Sequence, residues 1–260
     1  MIDSHCHIHM IPKKELGAVI LRAGKAGVKK LITAACSLEQ IGECLPLADE
    51  YENIWTTAGV HPTDLNPDIE QTLERVHEYA RREEKIVAIG EIGLDYYHDR
   101  FDHDLQKAFL VGQLEIAKML NLPAILHCRG GKNPGENEKA YGDLIEILRK
   151  LEFSNAVAHC FSGNKVEAEK LLDMGLMLSF TGVITYPENQ DLRDIVRAVP
   201  LDRMMVETDS PFLAPQAHRG GKNEPAFVTE VAAEVAKIKN VPPEEVVRIT
   251  TQNAERFFRI

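Results

Sequence analysis

Residues 2–8 have the sequence IDSHCHI, a short run with histidines at alternate positions, and His9 continues the alternation. In an extended strand, side chains two residues apart point to the same face. We therefore predict a strand that presents His5 and His7 in one direction, with Asp3 beneath them. Because clustered neutral imidazoles are good ligands for divalent metals, other ligands are expected to converge on this strand.

Seven further runs rich in Val, Ile and Ala follow, each bounded by turn residues and succeeded by helical periodicity. They lie at 30–36, 54–60, 86–92, 123–128, 155–160, 176–182 and 204–208. The clearest helix is predicted over 102–121, and two helices are predicted within 224–260. Eight strand–helix repeats predict an α/β fold, a (β/α)8 TIM barrel that forms a single domain over residues 1–260. The alternative is an open doubly wound sheet, although no GxGxxG or GxxxxGK[ST] motif supports its nucleotide-binding version.

The composition is that of an ordinary globular protein, with 44% hydrophobic and 27% charged residues. No signal peptide and no apolar run near the ~20 residues of a membrane span is visible, so a cytoplasmic location is expected. The five cysteines contain no CxxC pair, which argues against a disulfide framework or a thiolate zinc site and favours small buried thiols. The net charge of −10 argues mildly against extended nucleic-acid binding, although bound cations or a basic patch can offset it locally.

Polar residues fall at the ends of the predicted strands, where a TIM barrel gathers its functional groups. From the first to the eighth strand they are His5, His7, His61, Glu91, His127, His159, Glu207 and Asp209. Such groups are costly to bury without partners, and a metal would supply those partners. The mixture of imidazole and carboxylate suits zinc, manganese or nickel, and magnesium is also tolerated.

The ligands are too many for one tetrahedral site with an open position, so we expect two divalent metal ions about 3.5–4 Å apart. One ion is assigned to His5, His7 and Asp209, and the other to His127 and His159. Glu91 is the best candidate for the carboxylate that bridges the ions, and a metal-bound water near neutral pKa is the expected nucleophile.

Motifs along nearly the whole chain resemble the TatD family of metal-dependent deoxyribonucleases. They are DSHCH at 3–7, GVHP at 59–62, GEIGLDYY at 90–97, LHCR at 126–129, HCFSG at 159–163, ETDSPFLAP at 207–215, HRGGKNEP at 218–225 and TTQNAERFF at 250–258. The resemblance implies a TIM barrel, hydrolysis of phosphodiester bonds in DNA, and the same six metal ligands. It also implies that His61 contacts substrate phosphate or shuttles a proton. Glu207 shares the inward parity of Asp209 and is expected to complete the catalytic group from behind the ligands.

The chain departs from the family at three places. His9 stands where Asp is common, and it is expected to lie past the strand end. The stretch 130–143 is expected to form an extended loop beside the site. The family's basic pair is reduced to Gly221 and Lys222, so phosphate contacts are expected from Arg129, Arg219 and Lys222. Tyr96 or Phe161 is a candidate for base stacking.

The expected activity is metal-dependent cleavage of DNA, either single-stranded or at its ends, by a sequence-tolerant exonuclease. No base-reading element, membrane contact or obligatory protein partner is evident. The nearest rival is an amidohydrolase-type enzyme that cleaves a small lactone, amide or ester; such enzymes typically bridge their metals through a carboxylated lysine, where this chain offers Glu91. A noncatalytic barrel used as an interaction scaffold is a rival of another class.

Overall fold

The computed structural model describes residues 1–98, 100–133 and 136–260. Its sheet contains eight parallel strands that neighbour one another in chain order. They are β1 (Ile2–Cys6), β2 (Lys30–Thr33), β3 (Ile54–Ala58), β4 (Ile86–Asp95), β5 (Ala124–Arg129), β6 (Ala156–Ala158), β7 (Met177–Phe180) and β8 (Met204–Val206). Two hydrogen bonds join β1 to the segment after β8: the Asp209 N–H donates to the His5 carbonyl at 2.9 Å, and the His7 N–H donates to that of Ser210 at 2.7 Å. The predicted (β/α)8 barrel is confirmed.

The helices surround the barrel, and several of them begin at a side-chain cap that the sequence supplies. They are α1 (Lys13–Lys25), α2 (Leu38–Glu50), α3 (Ile69–Arg82), α4 (His103–Leu120), α5 (Glu136–Lys150), α6 (Lys165–Asp173), α7 (Gln190–Ala198), α8 (Val228–Lys239) and α9 (Pro243–Phe258). The Asp102 carboxylate accepts from the first N–H groups of α4, and Asn121 ends that helix in a left-handed conformation. The helix predicted over 102–121 and the two helices predicted within 224–260 are therefore confirmed. Among the described residues, no helix combines the length and the apolar composition needed to span a bilayer.

One end of the barrel interior is filled by apolar side chains, which leaves the other end for polar groups. The apolar cluster takes residues from seven strands, with Trp55 of β3 packed against it, and α9 covers it with Ala254 and Phe258. Its strand members are Ile2, Ile32, Val87, Ala88, Ile125, Val157, Met177 and Met205. This cluster occupies the amino-terminal end of the strands, so the stabilising core and the polar strand ends are separated along the barrel axis.

Two sequence-based boundaries differ from the structure. Glu207 and Asp209 lie after β8 rather than in it, because the Thr208 N–H donates to the Asp3 carboxylate at 2.9 Å and leaves the sheet ladder. The predicted loop over 130–143 is wrong in its second half, where α5 begins at Glu136. The helix forms there because Tyr141, Leu144 and Leu148 recur at helical spacing and are buried. Residues 134 and 135 of that stretch lie outside the described residues.

Candidate metal centre

A pocket of about 610 Å³ opens at the carboxyl ends of the strands. Every strand, or the segment directly after it, contributes lining residues, among them His7, Cys36, His61, Glu91, His127, His159, Thr181 and Asp209. A pocket of this size suits a small molecule or one end of a larger chain. The histidines and carboxylates that the sequence placed at strand ends therefore converge on one cavity.

Glu91 of β4 lies buried at the centre of this cavity, and its two carboxylate oxygens face different histidines. Oε1 lies 2.8 Å from His159 Nε2, 2.9 Å from His127 Nδ1 and 3.3 Å from His61 Nε2. Oε2 lies 3.3 Å from His5 Nε2 and 3.6 Å from His7 Nε2. One carboxylate thus lies between two groups of imidazoles, as a bridging ligand would.

Asp209 completes the group around His5 and His7. Its Oδ1 lies 3.2 Å from His7 Nε2 and 3.7 Å from His5 Nε2, and the two Nε2 atoms are 3.2 Å apart. A left-handed backbone at Asp209, with φ of 56°, accompanies the turn that brings this carboxylate back over β1. Two nitrogens and two carboxylates therefore surround the same small volume.

The outer ring nitrogens show that these residues fit a metal ion. The His7 Nδ1–H donates to the Ala34 carbonyl at 2.9 Å, which leaves Nε2 facing Glu91 and Asp209; in the neutral ring this nitrogen presents its lone pair to them. The same arrangement recurs at His127, whose Nε2 faces Asp95 Oδ2 at 3.1 Å while its Nδ1 faces Glu91. An imidazole lone pair and a carboxylate oxygen repel each other unless a cation lies between them. In metal-binding histidines, the ring nitrogen that does not bind the ion is typically held by a hydrogen bond.

Further evidence for a cation comes from atoms that lack partners. Buried His5 Nδ1 has no hydrogen-bond partner among the described residues, and the His5 ring stacks on His159 at 3.9 Å between centroids. Three sets of donor atoms lie close enough together to hold an ion: His5 with His159 and Asp209, His5 with His7 and Glu91, and His61 with Glu91 and His127. The nitrogen and carboxylate donors fit the divalent metals expected from the sequence.

The electrostatics of the pocket keep its carboxylates ionised. Burial alone would raise the pKa of Glu91, but the charges of His159 and His61 and the hydrogen bonds from His127 and His159 hold it well below its usual value. The pKa of Asp209 is likewise lowered, since its interactions with His7 and His5 outweigh burial. Burial, followed by the charge of His159, lowers the pKa of His5 and favours its neutral form. Burial alone would lower the pKa of His7, His127 and His159, but the facing carboxylates outweigh burial and raise the pKa of all three, so a metal ion that binds these rings would release protons from them.

Glu207 lies behind the ligands, as expected from its parity. Its Oε1 accepts from the Cys160 N–H at 2.6 Å and lies 3.3 Å from His159 Nδ1, and its Oε2 accepts from the Ser179 hydroxyl at 2.6 Å. This buried carboxylate therefore fixes the ring of His159 while the other ring nitrogen faces Glu91. It is not among the described residues that line the pocket.

Asp95 supports His127 in a similar way, and sequence reasoning missed it. It stands four residues after Glu91 on β4, so alternation places both side chains on one face. Gly93 lies between them with φ of 149°, and a Cβ there would lie 1.9 Å from the His127 carbonyl oxygen. Glycine thus permits the close approach of β4 to β5 that brings His127 to Asp95. Counting alternate positions from Glu91 would have identified Asp95.

The remaining histidines differ in their relation to Glu91. His61 follows β3 and faces Glu91 through Nε2, while its Nδ1 lies 2.7 Å from the Thr63 hydroxyl. His9 instead contacts the Thr33 hydroxyl at 3.3 Å and Gln40 Oε1 at 3.2 Å. It belongs to none of the possible ion-holding sets among the described residues. The structure therefore places His61 inside the centre and His9 beside it.

Only one of the three predicted phosphate-binding cations reaches this pocket. Arg129, at the end of β5, lines it and lies over the Tyr97 ring at 4.0 Å. Arg219 pairs with Glu188 at 2.6 Å, and Lys222 lies 3.7 Å from a Glu15 oxygen. Neither of these two is among the described lining residues, so the structure does not bring them to the centre.

The two aromatic residues considered for base stacking are buried. Tyr96 is 3% exposed and donates its hydroxyl to Asp143 at 2.6 Å, and Phe161 is 2% exposed among other aromatic rings. Phe161 borders the pocket, but neither ring exposes a face on which a base could stack, so that expectation is wrong. Phe212, which the sequence reasoning did not single out, lines the pocket and is 50% exposed.

A barrel with a buried cluster of histidines and carboxylates at its carboxyl end defines a class of protein, the metal-dependent barrel hydrolases. The sequence model of the family described as TatD related DNase matches residues 2–259. The chain belongs to the TatD family of metal-dependent hydrolases.

Relatives in this family cover almost the whole chain. The uncharacterized metal-dependent hydrolase YcfH of Escherichia coli K12 is 37% identical over 266 residues, which cover 100% of this chain and 96% of that protein. The 3'-5' ssDNA/RNA exonuclease TatD of a Rahnella strain is 34% identical over 251 residues, covering 93% of this chain and 91% of that protein. The crystal structure of YJJV, a TatD homologue from Escherichia coli K12, matches with a TM-score of 0.91 at 30% identity and covers 100% of this chain and 98% of the other.

Proposed function

We propose that this protein hydrolyses phosphodiester bonds at an end of single-stranded DNA, using two divalent ions bridged by Glu91. The observation that carries the proposal is the position of Glu91, whose Oε1 faces His61, His127 and His159 while Oε2 faces His5 and His7. A carboxylate shared between two ligand groups is the arrangement that two-metal hydrolases use for in-line displacement at phosphorus. The name of the Rahnella relative supports nucleic acid as the substrate class.

The two ions would be held by the groups on either side of Glu91. His5, His7 and Asp209 would bind one ion, and His127 and His159 the other. Ions bound there supply Lewis-acid activation of water and neutralisation of charge on the phosphoryl oxygens. Asp95 and Glu207 keep the rings of His127 and His159 oriented, because each carboxylate contacts the ring nitrogen that faces away from Glu91.

The reaction consumes one water. Its oxygen forms a new bond to phosphorus, the ester P–O bond breaks, and the leaving oxygen takes a proton from solvent to become a hydroxyl. The proton that the attacking water loses passes to solvent. His61 Nδ1 accepts from the Thr63 N–H at 3.2 Å, so Nε2 carries the ring proton and would donate a hydrogen bond to a phosphoryl oxygen. Burial, followed by the charge of His127, lowers the pKa of His61 and favours the neutral ring, whose one proton then lies on Nε2.

Arg129 positions the substrate backbone in this proposal. Its guanidinium lies over Tyr97 at the rim of the pocket, where a phosphate can accept hydrogen bonds from it. Stacking on the ring restricts the side chain and reduces the entropy lost when phosphate binds. Because contacts to the phosphate backbone do not depend on base identity, cleavage is expected to tolerate any sequence.

A small-molecule hydrolase of the amidohydrolase type is the rival. Such a site is expected to bridge its ions through a carboxylated lysine, and none of the described residues that line the pocket is a lysine. In our proposal Glu91 would take the place of that lysine without modification. This difference favours the phosphodiesterase.

The proposal is tested with chelator-stripped protein that is reloaded separately with magnesium, manganese, zinc or nickel. The substrates are an end-labelled single-stranded oligonucleotide, its duplex, and a panel of lactones. We expect products that shorten one nucleotide at a time from one end of the single strand, and only after an ion is added. Asp209→Asn should abolish this activity, whereas the matched control Asp49→Asn, at an exposed position of α2, should retain it.

Two outcomes would contradict the proposal. Turnover of lactones without degradation of DNA would assign the site to small-molecule hydrolysis. Protein that binds the ions but hydrolyses none of these substrates would instead agree with the noncatalytic scaffold.

A further inference from the structure

Exposed apolar side chains are concentrated at the rim of the metal pocket. Among the described residues, six large apolar side chains are exposed: Met10, Leu21, Met119, Val166, Phe212 and Leu213. Three of these, Met10, Phe212 and Leu213, line the same pocket, and we call them the apolar wall. Single exposed apolar residues are ordinary, but three that converge on a cavity point to a ligand with an apolar face.

The backbone of the apolar wall is held in place. The Phe212 N–H donates to the Asp209 carbonyl at 2.9 Å, and the buried Asn223 side chain donates to the carbonyls of Phe212 and Thr208 at 2.6 and 2.7 Å. Leu213 has φ of 55°, a left-handed conformation that is unfavourable for leucine. Surrounding structure therefore fixes the wall at a strained conformation, which is a common property of ligand-binding segments.

The apolar wall lies beside one half of the metal centre. Its Phe212 ring is 6.0 Å from the His7 ring, measured between centroids, at an angle of 66°. Half of the Phe212 side chain is exposed to the cavity and its rim. A base stacked on Phe212 would therefore lie close to the metal-binding residues. The phosphate of the same nucleotide could then reach those residues.

Cationic residues occupy the opposite side of the barrel mouth. The apolar wall belongs to the segments after β8 and β1, whereas Tyr97 follows β4 and Arg129 ends β5, four strands away in a ring of eight. Arg129 lies over the Tyr97 ring at 4.0 Å, and Lys132 Nζ lies 5.0 Å from the same ring. This side suits a phosphate backbone, whereas the apolar wall suits a base.

A third direction out of the pocket is electrostatically less favourable for DNA. A groove of about 780 Å³ shares Ser162 and other lining residues with the metal pocket. It carries Glu188, Asp191 and Asp194, and among its described lining residues Lys165 is the only cation. Arg219 pairs with Glu188 and Arg197 pairs with Asp194, so the groove presents little uncompensated positive charge to a phosphate chain. Arg129 and Lys132 make the side of β4 and β5 the more favourable exit for a bound strand.

We propose that the apolar wall seats the base of the terminal nucleotide that is removed, while the remaining strand leaves the pocket over Arg129 and Tyr97. This inference rests on the proposed nuclease function and specifies how its substrate is oriented. Stacking on Phe212 accepts any base, because every base has a flat apolar face. The apolar wall is therefore expected to favour a terminal nucleotide that carries a base over one that lacks a base. It is not expected to distinguish one base from another.

The test compares two oligonucleotides of one sequence, of which the second has an abasic unit at the end that is degraded. The measured quantity is kcat/KM for release of the first unit by the full-length protein. Base stacking on an aromatic side chain predicts that wild type favours the natural end about 10-fold, mainly through KM. Phe212→Ala should lose this preference and cleave both oligonucleotides with similar kcat/KM. Phe212→Tyr should restore it.

The matched control is Met119→Ala, which removes an exposed apolar side chain of α4 outside the pocket lining and should behave as wild type. If wild type cleaves both oligonucleotides equally well, or if Phe212→Ala slows both by the same factor, the inference is overturned while the nuclease function stands. If wild type cleaves neither oligonucleotide with any divalent ion, the nuclease function itself fails, and the inference fails with it.

Discussion

Glu91 shows how one buried residue can organise a site. A carboxylate at the centre of a barrel would ordinarily be expensive to bury, yet five imidazoles surround it and none of the described lining residues is a lysine that could neutralise it. In the proposed function, Glu91 is the ligand that holds the metal ions together. The sequence indicated this from a single acidic residue in a run that is otherwise apolar and glycine-rich.

Glu91→Gln is expected to abolish hydrolysis, with a loss of at least about 10³-fold, and to lower the bound metal per chain. The amide is nearly the same size but cannot bridge two cations through two anionic oxygens. Metal content after desalting and the rate of DNA degradation measure the effect. Glu43→Gln, at an exposed position of α2, is the matched control and should leave both unchanged. Full activity in Glu91→Gln would show that Glu91 is not a ligand.

His9 is expected to affect stability through its protonation rather than through metal binding. Burial, and then the charge of His7, lowers the pKa of His9 to about 4 in the folded protein. In the unfolded chain the pKa returns to about 6.5, so below that pH the unfolded state binds a proton that the folded state does not. The free energy of unfolding should therefore fall as pH decreases from 6.5 toward 4.

This dependence is measured by urea unfolding of chelated wild type and His9→Gln at pH 7 and pH 5. Glutamine stays neutral and can keep a hydrogen bond to Thr33 or Gln40. We expect wild type to lose more stability than the variant, by up to about 1 kcal/mol per pH unit, because His9 is only partly buried. An identical pH dependence in the two proteins would contradict the low pKa of His9.

Sequence reasoning was uneven at the residue scale. It brought together His5, His7, Glu91, His127, His159 and Asp209, which the structure places around one cavity, although their binding of ions stays a prediction. It missed Asp95, because a carboxylate that only supports a metal ligand belongs to no recognisable motif. Asp95 is found only by following alternate residues along the strand from Glu91. It also missed Phe212, because exposure of an aromatic residue is decided by the tertiary fold rather than by its neighbours in sequence.

At the element scale, helices that carry explicit end signals were predictable. Asp102 and Asn121 bound α4 as the sequence suggests. The error over 130–143 arose because glycine and charged residues near the start of the stretch hid the apolar face of α5, which starts with Tyr141 and is buried on the sheet. Strand β8 ends two residues earlier than predicted, because the side chain of Asp3 takes the Thr208 N–H that would have continued the ladder.

The cysteines provide a test of how strands and helices pack. Cys6, Cys44 and Cys128 are buried in the core between these layers, and burial raises the pKa of the Cys44 thiol to about 12. A buried, protonated thiol is a poor nucleophile. We expect these three to resist a thiol reagent at pH 8 in native protein, whereas all five cysteines should react in urea. Cys36, Cys128 and Cys160 border the pocket; Cys128 also belongs to the core cluster, and Cys160 is only partly buried.

Counting the thiols that react over time measures this prediction. Rapid reaction of more than two cysteines in native protein would mean that the interface between strands and helices opens readily. Reaction of two or fewer would agree with the packing described here.

At the scale of the whole molecule, the barrel separates stability from function. The apolar cluster that α9 covers lies at the amino end of the strands, and the metal centre lies at the carboxyl end. The repeated alternation of short apolar runs and helical periodicity made this architecture predictable. The arrangement of charge around the barrel mouth was not predictable, because it depends on which side chains pair. Arg219 and Lys222 contact acidic residues outside the pocket, and Arg129 remains at the rim.

The measurement that tests the two-ion centre most directly is an anomalous difference map from a crystal soaked in manganese. We expect two peaks on either side of Glu91, one beside His5, His7 and Asp209 and the other beside His127 and His159. A single peak, or two peaks that do not share Glu91, would contradict a centre built on this bridging carboxylate.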